Sequence, residues 1–177
     1  MDKLLKILPT LSIILFAVIL RLLPHPPNFA PITAMALFGG VYLNKKYALI
    51  VPIIAMLLSD IIIGFHDTMF FVYLSFLLSG VIGLVIGKRK SIITITGGAI
   101  LASILFYLIT NFGVWLVSGM YPRTFAGLTR AYILALPFYK NTLTGDLFYT
   151  GLFSVSYELI RSVSIRMRPN FNNPNKS

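Results

Sequence analysis

Two carboxylates, Asp60 and Asp146, stand inside long apolar stretches of this chain, and they are the first residues whose chemistry needs a setting. An ionisable group at membrane depth is costly, so it normally faces a protein interior or a wet cavity and marks a ligand, proton or ion site. Other polar groups gather near them in sequence. His25 and Asn28 sit in "RLLPHPPNFAPITAMALFGG", among Pro24, Pro26, Pro27 and Pro31; His66 and Asp67 close "DIIIGFHD"; Asn111 and Trp115 belong to "TNFGVW". Tyr121 and Arg123 follow in "MYPRT", and Lys140 and Asn141 precede Asp146. Carboxylates and amides fix the orientation of a small molecule, and aromatic rings supply flat surfaces for a ring-bearing one.

The elements that must position these groups are membrane spans. The chain has 177 residues, is 57% hydrophobic and only 11% charged, and its mean hydropathy is +0.86, too apolar for a soluble domain of this length. Apolar length and flanking charge place spans at 4–23, 27–43, 47–65, 69–87, 91–117 and 143–162. The expected fold is an all-α integral membrane bundle of six helices over residues 1–165. A polar, disordered cytoplasmic tail is expected at 166–177. The first span is too long for a signal-peptide core and reads as a retained helix. Of the fifteen Lys and Arg residues, all but Arg21, Arg123, Arg130 and Lys140 fall on the side of the termini, which puts both termini in the cytoplasm. The net charge of +10 is therefore a topology signal, and nucleic acid is not expected as a partner.

Two spans depart from a plain helix. Residues 27–43 would make a helix of about 25 Å, short for a hydrocarbon core of about 30 Å, entered through a rigid proline turn. Residues 91–117 exceed what a bilayer needs, which predicts a tilt or a break near Gly113. The stretch between spans five and six reads as an interfacial helix or loop held by Tyr121, Tyr132, Phe138 and Tyr139.

In this topology almost every unusual polar residue lies in the outer third. The candidate substrate-binding set is His25, Asn28, Asp60, His66, Asp67, Asn111, Trp115, Tyr121, Arg123, Asn141 and Asp146. Each has a plainer role open to it. Asp60 can bond a neighbouring helix, Asp146 can serve helix N-terminal chemistry, the histidines can be loop residues, and the aromatics and Arg123 can anchor at headgroups. In the inner half, Glu158 can pair with Arg161 at i,i+3. Span four carries small residues every fourth position, Ser75, Ser79, Gly83 and Gly87, and Ala30 with Ala34 forms a weaker pair on span two. Such a stripe serves close helix packing or docking of a partner subunit.

No cysteine is present, and no nucleophile elbow, zinc motif, Walker loop or Rossmann glycine pattern occurs. An enzyme, a metal site and a bound cofactor are accordingly not expected.

"RLLPHPPNFAPITAMALFGG", "LLSDIIIGFH", "TNFGVWLVSGMYPRTFAGL" and "LPFYKNTLTGDLFY" together resemble an uncharacterised family of bacterial membrane proteins described as transport proteins. That family is similar to the substrate-binding S components of energy-coupling factor transporters. The resemblance implies a six-helix protein of the bacterial plasma membrane with a vitamin-like ligand held near the outer face. It also implies release inside by toppling, driven by an energising transmembrane subunit with ATPases. S components carry an Ala-x-x-x-Ala docking motif in the first helix, whereas Ala30 and Ala34 lie on the second. The lack of cysteine argues against cobalamin bound through a thiol, and the histidine motif of nickel and cobalt S components is missing, so an organic, partly aromatic ligand is expected. Two other classes stay open: a stand-alone secondary transporter or channel using Asp60 and Asp146, and an accessory membrane protein without a ligand.

Overall fold

The computed structural model describes residues 2–24, 26–43 and 45–166. Among them all regular structure is helical. Helix α1 (Asp2–Leu22) stops short of Pro24, as the restriction on a residue preceding proline requires. Helix α2 (Ile32–Tyr42) follows Pro31, α3 is a single turn (Lys45–Ala48), and α4 is Ile50–Ile63. Helix α5 (Met69–Ile86) runs on through a 3-10 turn at Gly87–Arg89, and α6 (Ile92–Val117) and α7 (Phe125–Arg166) complete the chain. His25 and the tail from residue 167 onward lie outside the described residues.

The helix expected at 27–43 is shorter than its apolar sequence, because residues 27–31 lie in the turn and its exit. Its 11 residues span about 16 Å. Every described side chain from Thr33 to Val41 is buried. A helix apolar on all sides belongs inside a bundle, and α2 is that central element, packed on α1, α4, α5, α6 and α7. The segment expected as one span at 47–65 is divided at Leu49. Pro52 has no N–H for the Ala48 carbonyl and its ring crowds that oxygen, so the short α3 cannot continue into α4.

Helices α5 and α6 are each long and apolar enough to cross a membrane; α2 and α4 are shorter apolar helices. Ser91 opens α6 with a capping box: its hydroxyl accepts from the Thr94 N–H at 3.1 Å, and Thr94 Oγ1 accepts from the Ser91 N–H at 2.9 Å. The helix does not break at Gly113. That glycine is buried against the Phe71 ring of α5, where a Cβ would stand 2.4 Å from the ring carbons. The interfacial segment and the sixth span also prove to be one helix of 42 residues, α7, with Pro137 inside it. Its first half is held along α6 by reciprocal bonds: Tyr107 donates to the Tyr132 carbonyl at 2.7 Å, and Tyr132 donates to the Leu108 carbonyl at 2.8 Å. Tertiary contact thus carries the helix past a residue that would end it in isolation.

The small-residue stripe of α5 faces α2. Ser75 and Ser79 are fully buried, and a Cβ on Gly40 would lie 2.2 Å from the Gly80 carbonyl oxygen and 2.7 Å from Gly83 Cα. The two backbones touch there, which is the close approach that small residues permit. Gly87 continues the contact beside Val41, and Ala34 is buried on α2. The interior holds Ser59, Asp60, Ser103, Thr142, Asp146 and Thr150, while isoleucine, leucine, valine and phenylalanine side chains stand exposed along α1, α4, α5, α6 and α7. Exposed apolar surface on that scale suits lipid better than water.

Candidate functional site

The proline-rich stretch builds one wall of a cavity. The Phe29 N–H donates to the Pro26 carbonyl at 2.9 Å, and Asn28 has φ 61°. Proline at the second position and asparagine at positive φ in the third define a type II turn, and asparagine is among the few non-glycine residues that tolerate this conformation. The turn is tied to α7, since Asn141 Nδ2 donates to the Pro27 carbonyl at 3.1 Å and Gly145 leaves room for Phe29.

Behind this turn is a cavity of about 320 Å³. Its polar lining is Arg21, Asn28, Thr33, Thr142 and Asp146, and Leu22, Ala30, Ile63 and Phe106 supply apolar walls. The volume falls in the range of about 300–1,000 Å³ typical of small-molecule sites. Five elements meet there: the end of α1, the proline turn with the start of α2, the end of α4, and the middles of α6 and α7.

Asp146 is 1% exposed and is held by three donors: the Ser103 hydroxyl at 2.7 Å, the Thr33 side chain and the Ala34 backbone N–H. The last two belong to the first turn of α2, whose N-cap, Pro31, offers no side-chain bond. A helix start presents unpaired N–H groups and a partial positive charge. Asp146 therefore caps α2 from another helix while facing the cavity. Among the described residues no cation is paired with it.

Asp60 is in a different position. Its carboxylate is 1% exposed and bound on both oxygens: Arg21 Nη2 meets Oδ1 at 2.5 Å, and Tyr73 Oη donates to Oδ2 at 2.7 Å. Arg21 also contacts Ser59 and reaches the Met56 carbonyl at 3.5 Å. This cluster locks α1, α4 and α5 together, and Arg21 forms the edge it shares with the cavity. The plainer alternative foreseen for Asp60, a bond to a neighbouring helix, is what the geometry shows.

The remaining candidates are dispersed. Asn111 Nδ2 bonds the Tyr107 carbonyl of its own helix at 2.8 Å, Trp115 Nε1 bonds the Pro122 carbonyl at 3.1 Å, and His66 Nδ1 lies 3.0 Å from Thr68 Oγ1. His66, Asp67 and Arg123 are exposed and Tyr121 is half-buried; none of them lines the cavity. Of the sequence-derived set, Asn28 and Asp146 are brought together, Asn141 supports the turn, and Asn111, Trp115, Tyr121, Arg123, His66 and Asp67 lie elsewhere. Arg21, Thr33 and Ser103 escaped the sequence reading as site residues, and Thr142 entered it only as helix N-terminal chemistry beside Asp146. Arg21 left a trace there as one of the four cations away from the side of the termini. Among the described residues no cluster of metal-ligating side chains occurs.

No curated protein and no solved structure matches the chain. A family model does match it, over residues 2–169, so the chain belongs to DUF6580, a family of unknown function.

Proposed function

We propose that this protein is a membrane-embedded binding and uptake component for a small, vitamin-like organic molecule, captured in the 320 Å³ cavity. The observation that carries this reading is the cavity itself. It sets one buried carboxyl, two threonines and an asparagine held in a type II turn against apolar walls, a few convergent polar groups in an apolar site. In the bilayer, both termini face the cytoplasm, Lys88, Arg89 and Lys90 lie inside, and the proline turn faces outward. Six crossings are formed by α1, by α2 with its turn, by α3 with α4, by α5, by α6 and by the second half of α7. The cavity then opens toward the outer face. An energising transmembrane subunit with ATPases would supply the driving force, as in the S components that the sequence resembles.

A second reading has a specific observation behind it. Among the described residues no cation pairs with Asp146 where it faces the cavity, whereas Asp60 is neutralised by Arg21. A stand-alone transporter would use Asp146 for proton or cation coupling, and Asp60 would have no part in it. Ligand screening by thermal shift tests the main reading. A saturating ligand at about 100 times its Kd adds roughly 2.7 kcal/mol to stability. A vitamin-like compound should raise the Tm of the intact protein and not that of Asn28→Ala or Thr142→Val. A panel in which no compound does so, or in which the variants respond like the parent, contradicts capture at this site.

A further inference from the structure

A second cavity, of about 570 Å³, lies between α6 and α7 on the side of Lys90 and Glu158. It shares α7 with the outer cavity, and the division between them is narrow. Asp146 lines the outer one, and Leu147 and Thr150 line the inner one. On α6, Phe106 faces the outer cavity and Ala99 the inner, with Ser103 between them, bonded to Asp146. The partition is thus about one helical turn, or about 6 Å along α7.

Thr150 marks the inner side of that partition. It is 4% exposed, and its hydroxyl has no partner among the described residues. Thr142 and Thr144 on the same helix bond back to the carbonyls of Phe138 and Lys140. Leaving a buried hydroxyl unbonded is costly, so its place in a cavity wall points to a ligand that bonds it. Thr142, Asp146, Thr150, Ser154 and Glu158 follow one another at four-residue intervals, along one of the inclined ridges of a helix surface. All five line one cavity or the other. Lys90, placed 4.4 Å over the Tyr42 ring, and Glu158 stand at the inner mouth.

We propose that the inner cavity is a second site for the solute captured outside, reached along the α6–α7 seam, with the Ser103–Asp146 contact as the partition. The solute is a partly apolar organic molecule whose hydrogen-bonding groups meet Asp146 first and then Thr150 and Ser154. This rests on the uptake function proposed above and gives it a route through the protein in place of release by toppling.

The chain has no cysteine, so a single introduced thiol reports access without background. Thr150→Cys in the full chain, in sealed vesicles of either orientation, is exposed to a membrane-impermeant trimethylammonium methanethiosulfonate. The thiol should react from the cytoplasmic side and stay protected from the outer side. Adding Ser103→Ala or Asp146→Ala should raise the outer-side rate by about tenfold or more, since the partition loses the hydrogen bond that closes it. Ser154→Cys, at a half-buried position on the same ridge, gives the same measurement if Thr150→Cys does not fold. A thiol unreactive from the cytoplasmic side, as when an acyl chain fills the groove, overturns the proposal. So does outer-side protection unchanged by either partition variant. No ligand enters this assay, so its failure would leave capture in the outer cavity standing, and a failed ligand screen would leave the route standing.

Discussion

Removing the guanidinium of Arg21 isolates a buried charge. In Arg21→Met, the Asp60 carboxylate keeps the Tyr73 hydroxyl on Oδ2 but loses the guanidinium on Oδ1, in a site 1% exposed. Breaking one side of a buried ion pair costs about 3–5 kcal/mol, mostly because the remaining charge is unpaired. For a chain of this length each kcal/mol moves Tm by roughly 2–4 °C, so a loss on the order of 10 °C is expected. Asp60→Asn should cost less, because Arg21 sits at a helix end beside the outer cavity and can turn its charge toward it. The double variant Arg21→Met with Asp60→Leu should recover most of the loss, since paired charges exchanged together for apolar side chains are often neutral or stabilising. Thermal unfolding in a mild detergent, followed by the fluorescence of the single tryptophan, Trp115, measures all three. An Arg21→Met protein within about 2 °C of the parent, a shift worth no more than about 1 kcal/mol, would refute the closed α1–α4–α5 lock. A double variant no more stable than Arg21→Met alone would refute it equally.

Gly40→Val should prevent α2 from seating on α5, because even a Cβ would stand 2.2 Å from the Gly80 carbonyl; yield of monodisperse protein on gel filtration should fall severely, while Gly97→Ala, where a Cβ meets nothing, should be silent. Asn28→Gly should keep the type II turn and the parent Tm, whereas a β-branched Asn28→Val should lower stability by about 1–2 kcal/mol, since the left-handed φ of 61° crowds its Cβ. Burial lowers the pKa of Lys90, which Glu158 opposes and Arg161 reinforces, so its neutral amine should appear at lower pH than in a free lysine peptide. Acetylation at Lys90, followed by peptide mass mapping across pH, should therefore have its midpoint below that of the peptide; a midpoint at or above it would contradict the partial burial.

The proline turn was legible because Pro27 and Asn28 carry their conformations locally, and the α5 stripe because a four-residue spacing of small side chains has one physical use. Asp146 was legible as an acid in an apolar segment. Its partners were not: Ser103 and Thr33 come from other helices, and a serine or threonine in an apolar run has the same local pattern whether it bonds its own carbonyl or a distant acid. The Arg21–Asp60 pair is 39 positions apart in the chain, and nothing in either segment encodes the other. Asn111 and Trp115 looked like site residues by their depth alone, but depth does not specify which face of α6 they occupy. The interfacial segment and span six were read as separate pieces, and the tyrosine bonds between α6 and α7, which carry α7 past Pro137, are what join them. Local chemistry was thus readable one residue at a time, and its assembly depended on long-range contacts.

Native mass spectrometry of the intact protein, purified gently from cells grown in rich medium, tests capture in the outer cavity most directly. A reproducible non-lipid adduct is expected, retained by Asn111→Ala, whose side chain bonds its own helix, and lost in Asp146→Ala, whose carboxyl lines the cavity. A protein that carries only lipid, or an adduct that survives Asp146→Ala and disappears with Asn111→Ala, would contradict it.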